Sequence, residues 1–312
     1  MNTVNQSARQ SDIDETRDVM DPHLTAKMKR KQGGFGLESL WKFSATTLSG
    51  WVLAVIIILT VAAPWLSTTD PNMQVLGDRL LAPSAQHILG TDHLGRDLWA
   101  RLLYGGRYSL LLSFVAAVIA ALLGTVLGAL AGWLGGLWDE GLMRLVDLLI
   151  VFPSIILALV IAALLKPSFG TLLLALTITS WTPYARLARA LTLDVKTKPY
   201  LEAARALGAT PFRLLLRHIL PNIAGPILAV SFLRIGHMLL IIAGLSYLGL
   251  GAQPPTPDWG AMIAEALPYM QRVPILLLMP SLAIFLTALS VTMLGQGLTL
   301  IFDPKHRQAT QL

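Results

Sequence analysis

No cysteine occurs among the 312 residues, so disulfides, thiolate metal sites and cysteine nucleophiles are all excluded. Charge is scarce as well. Asp, Glu, Lys and Arg make up 13% of the chain, about half of the roughly 25% that coats a soluble globular domain. No G-x4-G-K-[ST] phosphate loop is present, so the chain is not expected to hydrolyse ATP or to be an enzyme. Hydrophobic residues supply the balance, at 54% of the chain with a mean hydropathy of +0.62. That is far too apolar for disorder and points to an all-α polytopic membrane protein.

Crossing about 30 Å of hydrocarbon takes about 20 mostly apolar helical residues. Six stretches meet that demand, at about 47–66, 109–135, 143–165, 169–190, 223–250 and 275–301. Before them lies a polar tail, 1–46, acidic at Asp12, Asp14, Glu15 and Asp18 and basic from Lys27 to Lys31. It reads as the leader of an uncleaved anchor, with 36–43 as an interfacial lead-in. The first span and an outer segment occupy 47–108, a five-span core occupies 109–301, and a short tail, 302–312, closes the chain.

Basic residues fix the expected orientation. With the N-terminus inside, seven Lys/Arg precede the first span, Arg144 follows, seven more lie between Arg186 and Arg217, and Lys305 and Arg307 end the inner set. The outer segments hold only Arg79, Arg96, Arg101, Arg107, Lys166 and Arg272. By the positive-inside rule both termini face the cytoplasm. The net charge of +6 is therefore topological and gives no support to nucleic acid as a partner; the lipid bilayer is the expected one.

The inner loop 191–222 is too polar to span and too patterned to be structureless. Pro199 can open a helix, Tyr200 to Leu207 is strong helix-forming sequence, and Gly208 stands where a terminator is expected. Thr210 and Pro211 then offer an N-cap and a first helical residue for a second helix, 212–220, ending at Pro221. The expectation is a helix–Gly–helix hairpin on the inner face. In the second span Gly124, Gly128 and Gly132 are four residues apart, a small-residue stripe that lets a neighbouring backbone come close.

Glu202-Ala203-Ala204, Gly208 and Ile219-Leu220-Pro221 resemble the EAA signature of importer permeases of the ATP-binding-cassette (ABC) family. The likeness extends to Leu89-Gly90-Thr91-Asp92-His93-Leu94-Gly95-Arg96-Asp97, to Tyr104-Gly105-Gly106-Arg107, and to Ser246-Tyr247-Leu248-Gly249-Leu250-Gly251 with Asp258-Trp259-Gly260. These are similar to the peptide/nickel branch, over roughly residues 45–305. The resemblance implies a type I (MetI-like) permease fold in a bacterial inner membrane and a homologous second permease. It also implies two ATPases that carry ATP and Mg, and an external solute-binding protein. Glu202, Ala203, Ala204, Gly208, Leu220 and Pro221 would couple to the ATPase. The implied cargo is a small peptide, with nickel or a metal chelate as the alternative. An ion-coupled secondary transporter, or a structural membrane anchor, is the rival class.

Arg234 lies near the middle of the fifth span with His237 three residues on, sharing a helix face. Two readings stand for them: a translocation path in which Arg234 meets the cargo's negative group, or an interhelical pair that holds the bundle together. Ile235-Gly236-His237-Met238-Leu239 resembles nickel-type permeases, whereas 251–257 resembles the dipeptide type; one His and one Met do not make a metal site. His87, Asp92, His93 and Asp97 read as structural. Thr91 and Asp92 are expected to cap a helix from Leu94, and Asp97 to pair with Arg101. Asp147 is expected to pair with Arg144, and Pro153 to kink the third span. The outer loop 251–272 reads as proline-rich and then helical.

Overall fold

A computed structural model describes residues 35–302, with side chains from 46 to 299. Both expected tails lie largely outside the described residues. The chain divides at Thr47, and the packing below belongs to the unit that begins at Leu48. Among the described residues there is no β-strand, only a single bridge between Thr91 and Asp97.

Helix α1 (Phe35–Val61) takes in the lead-in expected at 36–43 and stops just before Pro64, inside the short α2 (Ala63–Leu66). Then follow α3 (Leu98–Leu134), α4 (Gly136–Val151), α5 (Ser154–Leu164), α6 (Phe169–Ser180) and α7 (Thr182–Lys196). The hairpin helices α8 (Pro199–Ala206) and α9 (Pro211–Leu214) precede α10 (Leu220–Tyr247), and α11 (Trp259–Ala266) and α12 (Ile275–Phe302) complete the order.

Prolines set the joints. Pro153 caps α5, and α4 and α5 are bent by 87° there, a break rather than the expected kink. Pro221 does the opposite of what the sequence implies. The stretch 212–220 is not a separate helix that ends at it, because α9 runs through a wide π-turn, Leu215–Ile219, into α10. In that turn the Leu220 N–H bonds back to the Leu215 carbonyl. The extra residue gives the proline ring room beside the Arg217 carbonyl, so the helix continues.

Among the described residues three helical runs are long and apolar enough to cross hydrocarbon: Leu98–Leu134, Pro211–Tyr247 and Ile275–Thr299. A fourth arises if α4 and α5 count together. The first expected span offers only the shorter apolar run Thr46–Val61, and the fourth is divided at Trp181 into α6 and α7. Length and apolarity thus support three or four crossings.

The glycine stripe decides the central contact, α3 against α7. A methyl on Gly124 would overlap the Trp181 carbonyl and Tyr184 Cβ, and one on Gly128 would overlap the Ala185 backbone. Gly132 meets the Arg189 carbonyl and Thr192. Buried Leu112, Leu176, Tyr184, Ile223 and Ile242 form a core that also takes Leu201 and Ile219 of the hairpin. Gly128→Leu is expected to force α3 and α7 apart, overpacking that costs about 1–3 kcal/mol or more. Yield of the detergent-solubilised complex should fall sharply. Gly141→Ala, in α4 with open space around it, should leave yield unchanged or slightly raised.

Candidate functional site

The first helix of the hairpin and its turn are built as the sequence implies; the second helix, as above, runs on into α10. Pro199 opens α8, with Glu202 in its first turn, where a negative charge suits the helix N-terminus. At the other end the Ala209 N–H bonds to the Ala204 carbonyl and the Gly208 N–H to the Arg205 carbonyl, at 3.1 and 2.9 Å. That pair of bonds is a Schellman motif, and it needs the left-handed φ of +82° that Gly208 adopts. Thr210 then caps α9, its hydroxyl accepting from the Arg213 N–H at 3.4 Å.

One face of the hairpin is anchored and the other is bare. Leu201 is wholly buried, Ala204 and Leu220 are half-buried against the same core, and Asn222 ties back to the Tyr200 hydroxyl and the His218 carbonyl. Glu202, Ala203, Gly208 and Pro221 are exposed. So are two large apolar side chains, Leu207 at 89% and Phe212 at 69%. The two flank the Gly208 turn at the tip of the hairpin.

The opposite end of α3 holds a charged cluster that the sequence reading missed. Arg96 donates to Asp92 and to Glu265 of α11, both at 2.5 Å, and Arg101 reaches Glu265 at 3.2 Å and Asp92 at 3.5 Å. Both arginines are almost fully buried. Asp92, His93 and Glu265 come close enough to hold a metal, but both carboxylates are already engaged by guanidinium groups. His93 stacks on Tyr269 at 5.4 Å, and burial, the largest influence, holds its imidazole below the ordinary value. The lone Glu265 in an otherwise apolar short helix was the available signal.

Three sequence expectations change here. The helix begins at Leu98 rather than Leu94, capped by Asp97, whose side chain accepts from the Ala100 N–H at 2.7 Å. Asp92 instead closes a tight turn, accepting from the Leu94 and Arg96 N–H groups. Asp97 pairs with His87 at 2.8 Å and not with Arg101, whose guanidinium is drawn to the two-carboxylate cluster. Asp147 likewise pairs with Arg186 of α7 at 2.5 Å, not with Arg144, because α4 lies against α7.

The remaining motif residues explain one another. Gly105 and Gly106 form the seat for Trp259; a methyl on Gly106 would meet the Trp259 ring and Thr60. The indole N–H donates to the Leu102 carbonyl at 2.8 Å. Asp258 is buried, caps α11 through the Gly260 N–H, and accepts from the Ser109 hydroxyl at 2.7 Å. Burial pushes its carboxyl above the usual range, against the pull of those hydrogen bonds.

Arg234 sits mid-helix in α10, half-buried, and His237 is exposed. Among the described residues Arg234 makes no ion pair. Gly236 beside it lies against Ala288 and Thr292 of α12, so the helix wall there is closed by α12.

The sequence as a whole is similar to known proteins. Residues 124–308 match the model of the binding-protein-dependent transport system inner membrane component family. The chain belongs to that family. Residues 45–83 match the N-terminal transmembrane domain of oligopeptide transport permease C. The glutathione transport system permease protein GsiD of Shigella flexneri serotype 5b (strain 8401) is 43% identical over 252 residues, covering 80% of this chain and 83% of the relative. Its counterpart from Escherichia coli O6:K15:H31 (strain 536 / UPEC) is 42% identical over the same shares. The chain is thus an ABC importer permease of the peptide branch, a multi-pass inner-membrane protein that works with an ATPase and a binding protein. Membership sets aside the secondary-transporter and structural-anchor readings.

Proposed function

We propose that this chain is one of two homologous permease subunits that together form the pore of an ATP-driven importer of small peptides. Beyond the three or four crossings that length and apolarity support, we take the shorter first run and the divided fourth span to cross as well. That puts both termini and the hairpin in the cytoplasm, where two ATPases holding ATP and Mg dock. Glu202, Ala203 and Gly208 form the docking face, while Leu220 and Pro221 join it to the pore helix α10. An external binding protein delivers cargo at the Glu265 end. The observation that carries this reading is the hairpin: fixed to the core by Leu201, turned by Gly208, and uncovered at Leu207 and Phe212. It is a rigid handle with an apolar tip, which is what transmits a partner's motion into a helix bundle.

Small peptides are the preferred cargo because the relatives above are named for glutathione transport, and glutathione is a tripeptide. Nickel or a metal chelate loses ground in this chain, since the one described group of metal-ligating side chains is filled by Arg96 and Arg101. The test is uptake by the full complex in proteoliposomes. ATP-dependent accumulation of labelled di- and tripeptides, glutathione among them, with no competition from nickel, is the expected result. ATP-dependent nickel accumulation without peptide uptake would overturn the cargo assignment.

A further inference from the structure

At the hairpin end of α3 three elements meet on one side chain. Trp133 lies in the last turn of α3, half-buried. The guanidinium of Arg205, from α8, stands 5.2 Å from its ring centroid, and the ammonium of Lys196, from the last turn of α7, stands 5.6 Å from it. Lys196 also donates to the Trp133 carbonyl at 2.9 Å and to the Gly132 carbonyl at 3.4 Å. Those carbonyls are acceptors left without intrahelical partners at a helix C-terminus, where a cation is favoured.

The joint sits at one end of a long rod. Helix α3 has 37 residues, about 55 Å at 1.5 Å per residue and well beyond the hydrocarbon thickness. Its other end is gripped just as firmly, by Arg101 on Glu265 and by Trp259 in the Gly105–Gly106 seat. Along its C-terminal third the glycine stripe locks it to α7. A rod held at both ends moves as a unit, and Arg205 on Trp133 ties α8 to it side chain to side chain.

We infer that Trp133 and Arg205 form a cation–π clasp through which α8 and α3 move together, making both positioning residues for the coupling of ATP hydrolysis to pore opening. The inference rests on the hairpin being the ATPase dock. Arg205 is exposed, so the competing role is direct contact with the ATPase. The two roles differ in what Trp133 does. A clasp needs the aromatic face, and a cation–π contact tolerates Phe and Tyr but not an aliphatic side chain. Direct contact leaves Trp133 irrelevant.

The experiment measures cargo-stimulated over basal ATP hydrolysis in the reconstituted complex with its binding protein, per assembled complex. Trp133→Leu and Arg205→Gln should each lower that ratio by about fivefold, the lower end of typical coupling between sites. The double variant should be no worse than the more affected single one, and Trp133→Phe should retain most of the ratio. Unchanged stimulation in Trp133→Leu, or additive losses in the double variant, overturns the clasp. If Trp133→Leu does not assemble, Trp133→Met takes its place, with loss there beside retention in Trp133→Phe supporting the clasp and unchanged stimulation in Trp133→Met overturning it. Glu202→Lys is the control for the underlying reading. Normal stimulation there as well would sink the hairpin dock itself, whereas loss there beside normal stimulation in Trp133→Leu sinks the clasp alone.

Discussion

Gly208→Val is expected to abolish most cargo-stimulated ATP hydrolysis while the chain still inserts and assembles. The residue's φ of +82° is the reason, since nothing crowds the position: a methyl there would meet no atom within 4 Å. The penalty is therefore conformational, about 1–2 kcal/mol for a side chain forced into the left-handed region. A penalty of that size corresponds to roughly a 5–30-fold loss in the population of the correctly turned hairpin. Gly208→Asn separates backbone from chemistry, because asparagine tolerates that region and should keep most of the activity. Glu202→Lys tests the docking face without touching the turn. Its exposed position at the start of α8 makes the folding cost a few tenths of a kcal/mol, up to about 1. A large loss of stimulation there would be a loss of partner contact. Full stimulation and uptake in Gly208→Val and Glu202→Lys together would remove the coupling role.

How much of this was legible beforehand follows from the range of each interaction. The hairpin's turn is local: Pro199, Gly208, Thr210 and Pro211 act within a few residues of themselves, so spacing alone exposes the Schellman motif and the cap. The glycine stripe was also readable, because four-residue spacing forces Gly124, Gly128 and Gly132 onto one face whatever packs there. Ion pairs fared worse. Asp97 with Arg101 and Asp147 with Arg144 are sound helical pairs by spacing, yet tertiary neighbours outbid both. Glu265 lies 164 residues from Arg101, and nothing in local sequence announces that they meet. Pro221 misled for a related reason: a π-turn that accommodates proline depends on hydrogen bonds five residues back, which no single-residue preference encodes. The Trp133 joint joins the C-termini of two helices and a third short one, a geometry visible only after the chain is folded.

Arg234→Gln should cut peptide uptake per assembled complex by about tenfold or more if the guanidinium meets the cargo's carboxylate, since a charge-assisted hydrogen bond contributes about 1.5–3 kcal/mol. The residue is half-buried at the middle of α10, with no ion pair to any described residue of this chain. A charge held at that depth is costly, by about 2.5–3.5 kcal/mol on insertion scales, so removing it should not impair insertion. Arg234→Lys keeps the charge but loses the planar two-pronged donor, and partial uptake is expected. His237, exposed three residues away, serves as the neighbouring control: His237→Gln should change uptake far less. The alternative is a pair with a carboxylate of the second permease. In that case Arg234→Gln lowers the yield or thermal stability of the complex while uptake per complex stays unchanged. A charge reversal at both positions then restores the yield. Uptake normalised to assembled complex separates these outcomes, because cargo recognition appears in the rate of each complex and structural pairing appears in how many complexes there are.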